Sequence, residues 1–234
     1  MAVHTSNGRQ WNNDLHVLLN FYTDDPKKLL PETETGISIS HPYWGVVRSF
    51  QENDLFLEGM LLKSLDREAR HRYIHYVVYN NPPESDIIPE ALTMSGRQQP
   101  EWLNGITASQ GFYREMFTFV DHQTALLPKR PQSPRSAYIV SSFKAIGCIR
   151  ELDKSWSYWS GADLIVETIP SILRLQRLTF HKLKHDVTSQ VYAYVLMCEL
   201  GDALTHKNKA LEFVDTLNDR QCGLSSLYAI DHFI

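Results

Sequence analysis

The stretch from Arg67 to His75 carries three side chains that could bind a metal. Glu68, His71 and His75 are separated by three and then four residues, so on a helix they would share one face. A glutamate followed three residues later by a histidine also supplies two of the ligands in four-helix di-metal proteins. These residue types suit iron, zinc or manganese, and the segment therefore raises the hypothesis of a helical metal centre.

Two further pairs at helical spacing extend this hypothesis. His181 and His185 lie four residues apart, and Asp202 and His206 do the same. However, helical projection places the first set opposite the apolar row of its own segment, whereas ligands in a helical bundle point into the core. No second E-x-x-H and no H-E-x-x-H occurs. We keep the metal centre as an alternative and favour surface or partly buried histidines.

Two aromatic clusters are candidate protein-binding surfaces. Tyr43 and Trp44 lie in HPYWG, and Trp156, Tyr158 and Trp159 lie in SWSYWSGAD. Tyrosine and tryptophan are enriched among the residues that contribute most to protein–protein binding. Large rings at helix ends also pack onto a core, where they bury much area. We favour core packing and keep a protein interface as a hypothesis.

Other catalytic signatures are missing from the sequence. Cys148, Cys198 and Cys222 form no C-x-x-C pair and are odd in number, which indicates a reducing compartment. Neither G-x-S-x-G, a P-loop nor G-x-G-x-x-G occurs, so the common hydrolase and nucleotide-binding motifs are excluded. The sequence therefore favours a binding protein over an enzyme.

Proline placement suggests where the chain divides. Ten of the 11 prolines lie at or before Pro134, and turn-forming residues concentrate in 79–102 and 127–136. We expect an N-terminal helical half over 1–127, which includes a long loop at 79–102. A proline-rich basic linker would span 128–135, and a C-terminal helical half 136–234.

Apolar spacing predicts a mainly α fold, as one helical domain or as two packed helical halves. Helices are expected at 14–22, at 53–80, after the Ser133–Pro134 pair, over 172–200 and after Gly201. Residues 72–79 and 191–198 are rich in aromatic and β-branched side chains and could be strands instead. An α+β fold is therefore the alternative.

Charge and hydropathy limit the partners. The net charge is −4, so a broad basic face for nucleic acid is absent, and binding through Lys129–Arg135 and Lys182–Lys184 ranks last. The longest apolar run has about ten residues, whereas a membrane span needs about 20. No signal peptide is evident. We expect a soluble cytoplasmic protein that contacts neither membrane nor nucleic acid.

Together these features favour a helical protein that works by binding another protein, such as an inhibitor, an immunity-type protein or an adaptor, without a cofactor. The alternative is a helical metal-dependent oxygenase or hydrolase. It would use Glu68, His71 and His75 with His181, His185 and Asp202 to hold iron, zinc or manganese.

Overall fold

The computed structural model describes residues 8–11, 16–24, 56–66, 68–79, 106–121, 124, 129–131, 133–144, 153–186 and 192–233. These residues form nine strands: β1 (Gly8–Trp11), β2 (His16–Asp24), β3 (Phe56–Ser64), β4 (Tyr73–Tyr79), β5 (Ile106–Asp121), β6 (Ala137–Phe143), β7 (Leu175–Asp186), β8 (Tyr194–Leu200) and β9 (Leu224–Phe233). The described helices are α1 (Trp156–Ser160), α2 (Ala162–Thr168) and α3 (Lys207–Asn218), with a 3-10 turn at Ser171–Leu173.

The strands form one antiparallel sheet that closes on itself. Their order is β1-β5-β2-β4-β3-β9-β6-β8-β7, and β5 also pairs with β7. This last pairing closes an eight-stranded barrel, with β1 added outside the ring along β5. Closure removes the unpaired edges that would otherwise attract another strand.

The barrel consists of two four-stranded units with the same strand order. The first unit runs β5-β2-β4-β3 and the second β9-β6-β8-β7. Each places its fourth strand beside its first, and its third strand between its first and second, as in the ferredoxin-like arrangement. In the second unit, α1 and α2 lie between β6 and β7, and α3 lies between β8 and β9. The pairings β3–β9 and β5–β7 join the two units.

Alternating side chains build two apolar layers. Val17, Leu19 and Phe21 on β2 face the barrel interior with Val195 and Met197 on β8. The intervening residues of β6, β7 and β8 face outward and pack beneath α1, α2 and α3. This two-sided burial follows from the period of two along a strand.

The expected mainly α fold is wrong, because the described part of the chain is mostly β-strand. The described part of the helix expected at 14–22 lies in β2, the one at 53–80 contains β3 and β4, the one after Ser133–Pro134 contains β6, and the one at 172–200 contains β7 and β8. Every residue of β4, β6 and β8 is buried. Strands buried on both faces lack an alternating polar pattern, so their apolar residues also match helical spacing.

Other sequence expectations have mixed outcomes. The helix expected after Gly201 is confirmed as α3, although it begins at Lys207 rather than beside Asp202. Of the segments 72–79 and 191–198, which the sequence leaves open between helix and strand, residues 73–79 and 194–198 are strand. Strands β1 to β5 precede the segment 128–135 and β6 to β9 follow it, and the proposed division there stays a prediction. None of the helices among the described residues is both long and apolar enough to cross a membrane.

Phe180 offers a test of the layer beneath the helices. Its ring lies 4.4 Å from that of Trp156 and 5.5 Å from that of Tyr194, measured between centroids. Phe180→Ala should lower the free energy of unfolding by about 3–5 kcal/mol, because it removes a buried ring and leaves a cavity. Tyr158→Ala, at a side chain that is 75% exposed, should change it by less than about 0.5 kcal/mol. Urea denaturation measures both, and equal losses would contradict this packing.

Candidate functional site

The residues proposed as metal ligands lie in different parts of the fold. Glu68 is exposed in the connection between β3 and β4, where His71 is buried. The two ring nitrogens of His71 are engaged, with Nδ1 2.9 Å from Thr23 Oγ1 and Nε2 2.6 Å from the Tyr192 hydroxyl. His71 therefore joins the end of the barrel to Tyr192 through its own hydrogen bonds.

The remaining proposed ligands do not lie together with His71 in one site. His75 lies on the outer face of β4, 3.3 Å from Asn20, whereas His181 points into the barrel. Asp202 lies at the surface between two arginine side chains, Arg135 and Arg174. The side chain of His185 lies outside the described residues. Within the described ranges, no group of three or more histidine, cysteine, aspartate or glutamate side chains could hold a metal ion.

The proposed interface aromatics divide between packing and exposure. Trp156 stacks on Phe180, and Trp159 meets Phe143 and Tyr194 edge-on. Tyr158 points to solvent. Tyr43 and Trp44 lie outside the described residues. Binding of a protein partner by these rings stays an untested prediction.

A group of buried charges in the barrel interior is the most unusual feature of the molecule. Its members are nearly inaccessible to solvent and come from β5, β7, β8 and the segment before β6: Glu115, Lys129, Arg177, His181 and Glu199. Buried ionised groups are costly unless they are paired. Such a concentration of charge therefore indicates a functional site more strongly than any other cluster in the described chain.

Glu115 is the centre of this group. Its Oε1 lies 2.6 Å from Lys129 Nζ and accepts a hydrogen bond from the Tyr76 hydroxyl at 3.3 Å. Its Oε2 accepts a hydrogen bond from Thr118 Oγ1 at 3.1 Å. His181 Nε2 lies 3.9 Å from Oε1. The carboxylate is thus held by a cation and two hydroxyl donors inside the barrel.

The segment that carries Lys129 is fixed at both sides. Its backbone N–H donates to Glu58 Oε1 at 2.6 Å, and its carbonyl accepts a hydrogen bond from the Tyr138 hydroxyl at 3.1 Å. Deeper in the barrel, Arg177 Nε lies 3.5 Å from Glu199 Oε2. Two opposite-charge pairs therefore lie within one barrel end.

β-bulges position three charged side chains in this region, those of Glu58, Glu115 and Arg177. The pairing register shifts between Phe56 and Glu58 on β3, between Glu115 and Phe117 on β5, and before Arg177 on β7. A bulge adds one residue and re-aims the side chains that follow it. On β5 this allows Glu115 to face the interior while Phe117 faces the helices. Bulges are common beside active sites.

A pocket of ≈ 210 Å³ opens beside these charges. Its rim is formed by Leu57, Arg130 and Phe233, which are exposed, and its floor by Met60, Tyr76 and Lys129, which are buried. Gly59 and the half-buried Glu58 complete the wall. The pocket therefore runs from solvent to the Lys129–Glu115 pair.

The same floor residues separate this pocket from a smaller inner cavity. The inner cavity, ≈ 10 Å³, is lined by Met60, Tyr76 and Lys129 together with Arg177, His181, Glu199 and others. That volume is about the space of one water molecule. A polar molecule of that size could therefore lie between the two buried ion pairs.

The pKa values of the cluster reflect a balance of burial and pairing. Burial alone would raise the pKa of Glu115, but the Lys129 ammonium and its other partners hold it below the usual range. Burial lowers the pKa of Lys129, which the Glu115 charge partly offsets. Burial also raises the pKa of Glu199, against the pull of Arg177 and Lys129. Glu115 is therefore a poor base, and its main effect is to hold Lys129.

His181 is neutral near pH 7. Burial lowers its pKa to about 4, although the nearby Glu115 charge acts in the opposite direction. Nδ1 lies 3.2 Å from the backbone carbonyl of Val195, so it carries the proton and donates it, as assigned from this bond. Nε2 is buried at the inner cavity and has no hydrogen-bond partner among the described residues, so its lone pair can accept a hydrogen bond there.

The two units differ on their outer faces. On the first, Gln110 Nε2 donates to Asn20 Oδ1 at 2.6 Å, and Asn20 Nδ2 donates to His75 Nδ1 at 3.3 Å, all three side chains being buried. The outer face of the second unit is mainly apolar and includes Ile139, Leu196 and Cys198, although two buried serines there hydrogen-bond to each other. The group of three hydrogen-bonded polar side chains thus distinguishes the outer face of the first unit.

Sequence reasoning missed the charged cluster. One signal was present: Glu199 interrupts an apolar run that is otherwise suited to a core, in the stretch YVLMCEL. Glu115, in FYREMFTF, is a second example. A charge inside an apolar strand needs a buried partner, but the partner's identity depends on strand pairing that spacing along the chain does not reveal.

Comparisons with known proteins give a family and a fold. The model of a domain of unknown function, DUF7153, matches residues 56–230. No curated protein matches the chain. An anthrone oxidase-like protein shares the fold with TM-score 0.55 at 12% identity, over 97% of this chain and 96% of that protein. A putative chlorite dismutase gives TM-score 0.50 at 10% identity, over 93% and 95% of the two chains.

A third solved structure, described as a novel heme-binding protein from Thermus thermophilus, gives TM-score 0.41 at 11% identity, over 95% of this chain and 93% of that protein. The description of this chain as an α-helical inhibitor is wrong. Its described residues form a barrel, and the solved structures that share the fold are named for an oxidase-like protein and a dismutase.

The Glu115–Lys129 pair can be tested through stability. Glu115→Gln leaves the buried Lys129 ammonium without its counter-charge and should lower the free energy of unfolding by about 3–5 kcal/mol. The matched change Glu212→Gln breaks the exposed pair with Lys209, whose side chains are 60% and 63% exposed, and should cost at most about 1 kcal/mol. Chemical denaturation at pH 7 compares them, and a small loss for Glu115→Gln would show that the pair is not buried.

Stability should also fall as the pH is lowered from 7 to 5. The folded pKa of His181 is about 4, below the ordinary 6.5, so in this interval the unfolded chain binds a proton that the folded chain does not. At pH 5 this costs about 2 kcal/mol for one such histidine. His71, with its pKa lowered to about 4 chiefly by burial, acts in the same direction, whereas Glu199 opposes it.

The contribution of His181 is isolated by substitution. His181→Gln should flatten the dependence of unfolding free energy on pH between 7 and 5. His232→Gln, at a side chain that is 45% exposed, is the matched control. An unchanged slope in His181→Gln would mean that His181 is already protonated, or open to water, in the folded protein.

Proposed function

The chain belongs to the DUF7153 family, and we propose that it is an enzyme that oxidises a small phenolic or enolisable aromatic compound with dioxygen. The observation that carries this proposal is the pocket whose floor is the buried Lys129 ammonium, held against Glu115. The name of the anthrone oxidase-like protein with the same fold supports the reaction class.

Glu58 is suited to remove the proton of the substrate. It is placed on the pocket wall by the bulge of β3, and its Oε1 accepts the backbone N–H of Lys129. A carboxylate beside a bound hydroxyl can act as a general base.

Lys129 is suited to stabilise the anion that this proton transfer creates. Its ammonium is fixed at the floor, where little water competes, and a preformed cation in such a place favours developing negative charge. Glu115 holds the ammonium in position without filling the pocket. Glu115 is therefore a positioning residue, while Glu58 and Lys129 would touch the substrate.

The reaction balances with dioxygen as the only co-reactant. Glu58 accepts the hydroxyl proton, and the resulting aromatic anion is oxidised at a ring C–H or CH₂ carbon. One oxygen atom of dioxygen becomes the new carbonyl of a quinone, and the other leaves as water after taking the proton from Glu58 and a hydrogen from the oxidised carbon. An aromatic anion is the electron donor, so its stabilisation by Lys129 is the contribution of the protein to this step.

Neither His71 nor His181 is placed to be the axial ligand of a haem. A haem needs an axial side chain beside an open cavity. His71 has both ring nitrogens in hydrogen bonds, and the free nitrogen of His181 faces a cavity of only ≈ 10 Å³. No step of the proposed reaction passes through such a group.

Oxygen uptake tests the proposed function. Purified protein should consume dioxygen with a phenolic or enolisable aromatic substrate, and the quinone should appear in equal amount by absorbance. Glu58→Gln should lower kcat by roughly 10²–10⁴-fold, because it removes the general base. Glu68→Gln, an exposed glutamate in the neighbouring connection, is the matched control and should retain the full rate.

Two results would oppose the proposal. One is the absence of protein-dependent uptake across phenols, naphthols and anthrone. The other is full activity in a folded Glu58→Gln protein, which would place the chemistry elsewhere in the chain.

A further inference from the structure

We propose that the substrate of this pocket is a one-ring phenol that carries a carboxylate, and that it binds more tightly than the three fused rings of anthrone. This inference rests on the proposed function of the same pocket and specifies its ligand. It follows from the pocket's volume, from the order of its charges between rim and floor, and from the Arg130 guanidinium at its rim, with which none of the described carboxylates pairs.

The volume of the pocket suits a ligand of one ring. The pocket measures ≈ 210 Å³, and a closed apolar cavity of about 150 Å³ takes up one benzene molecule. The remaining volume accommodates a hydroxyl and a carboxylate on that ring. Two more fused rings would extend past the rim into solvent and gain little burial, because the cavity beyond the floor is only ≈ 10 Å³.

The rim offers a site for an acidic group. The Arg130 guanidinium carbon lies 4.1 Å from the centre of the Phe233 ring, and this stacking orients its donors. Among the described carboxylates, none pairs with Arg130, whereas Lys129 already has Glu115 as a partner at 2.6 Å. Arginine presents paired N–H donors that match a carboxylate. An acidic substituent on the ligand therefore has a partner at the rim.

The wall and the floor fix which way the ligand enters. Glu58, part-way down, would repel a carboxylate and accept a hydrogen bond from a hydroxyl. Lys129 at the floor favours the oxyanion that remains after the hydroxyl loses its proton. A ligand with its carboxylate on Arg130 and its hydroxyl directed inward satisfies the three charges at once. A carboxylate alone, without the hydroxyl, leaves Glu58 unmatched.

Three probes of graded size and charge test this inference. We would titrate the full chain with 4-hydroxybenzoate, phenol and anthrone under nitrogen, by isothermal calorimetry or by the shift of aromatic NMR signals. The expected order is 4-hydroxybenzoate tightest, phenol weaker by roughly three- to tenfold for the lost pairing with Arg130, and anthrone weakest. Tighter binding of anthrone than of 4-hydroxybenzoate would overturn the inference.

Arg130→Gln isolates the rim contact. It should weaken the binding of 4-hydroxybenzoate to about the affinity of phenol and leave the affinity for phenol unchanged. Arg135→Gln, at an exposed arginine outside the pocket, is the matched control and should change neither. Because Arg130 is exposed, loss of folding is not expected, and thermal melting verifies this. If Arg130→Gln and the unchanged protein bind 4-hydroxybenzoate with equal affinity, Arg130 is not the partner of the carboxylate.

Oxygen uptake with the same probes separates this inference from the proposed function. Binding of 4-hydroxybenzoate without uptake keeps the ligand assignment and removes the oxidase. Uptake with anthrone and none with 4-hydroxybenzoate supports the oxidase and overturns the ligand assignment. If no probe binds and none is oxidised, both fail.

Discussion

The buried contact between Glu115 and Lys129 is the constraint on which the site depends. It places an ammonium at the floor of the pocket while nearly excluding water, and the surrounding hydroxyls of Tyr76 and Thr118 satisfy the carboxylate. A pair of this kind seldom adds stability over an apolar core, because desolvation cancels most of the attraction. We infer that it is retained because it holds a charge where the fold alone would place an apolar side chain.

The closed barrel provides the setting for this contact. Two units of the same strand order enclose an interior, and bulges on β3, β5 and β7 turn charged side chains into it. The helices α1 to α3 cover an apolar face of the second unit. This packing stabilises the fold and takes no part in the proposed reaction. The two units therefore share a topology but differ in what their residues do. The layer beneath the helices of the second unit is packed mainly from apolar side chains, whereas the buried charges lie in the barrel interior.

Sequence reasoning recovered local features and missed the long-range ones. The helix α3 follows Gly201 as expected, since its buried residues Ala210, Val214 and Leu217 repeat at helical spacing on an exposed element. The strands β4 and β8 have no polar face, so their spacing could not separate strand from helix. The sequence singled out His71 and His181 because each lies four residues from another histidine. In the fold, however, His71 contacts Tyr192 and His181 lies near Glu115, and only the folded chain brings these residues close.

The seam between β3 and β9 has a consequence for how the molecule is made. Met60 pairs with Phe233 across it, and both residues line the pocket. During synthesis, β3 leaves the ribosome long before β9, so this seam and the pocket can form only after nearly every other strand exists. Contacts so distant along the chain slow folding, and until then the incomplete barrel exposes a strand edge that chaperones would need to protect.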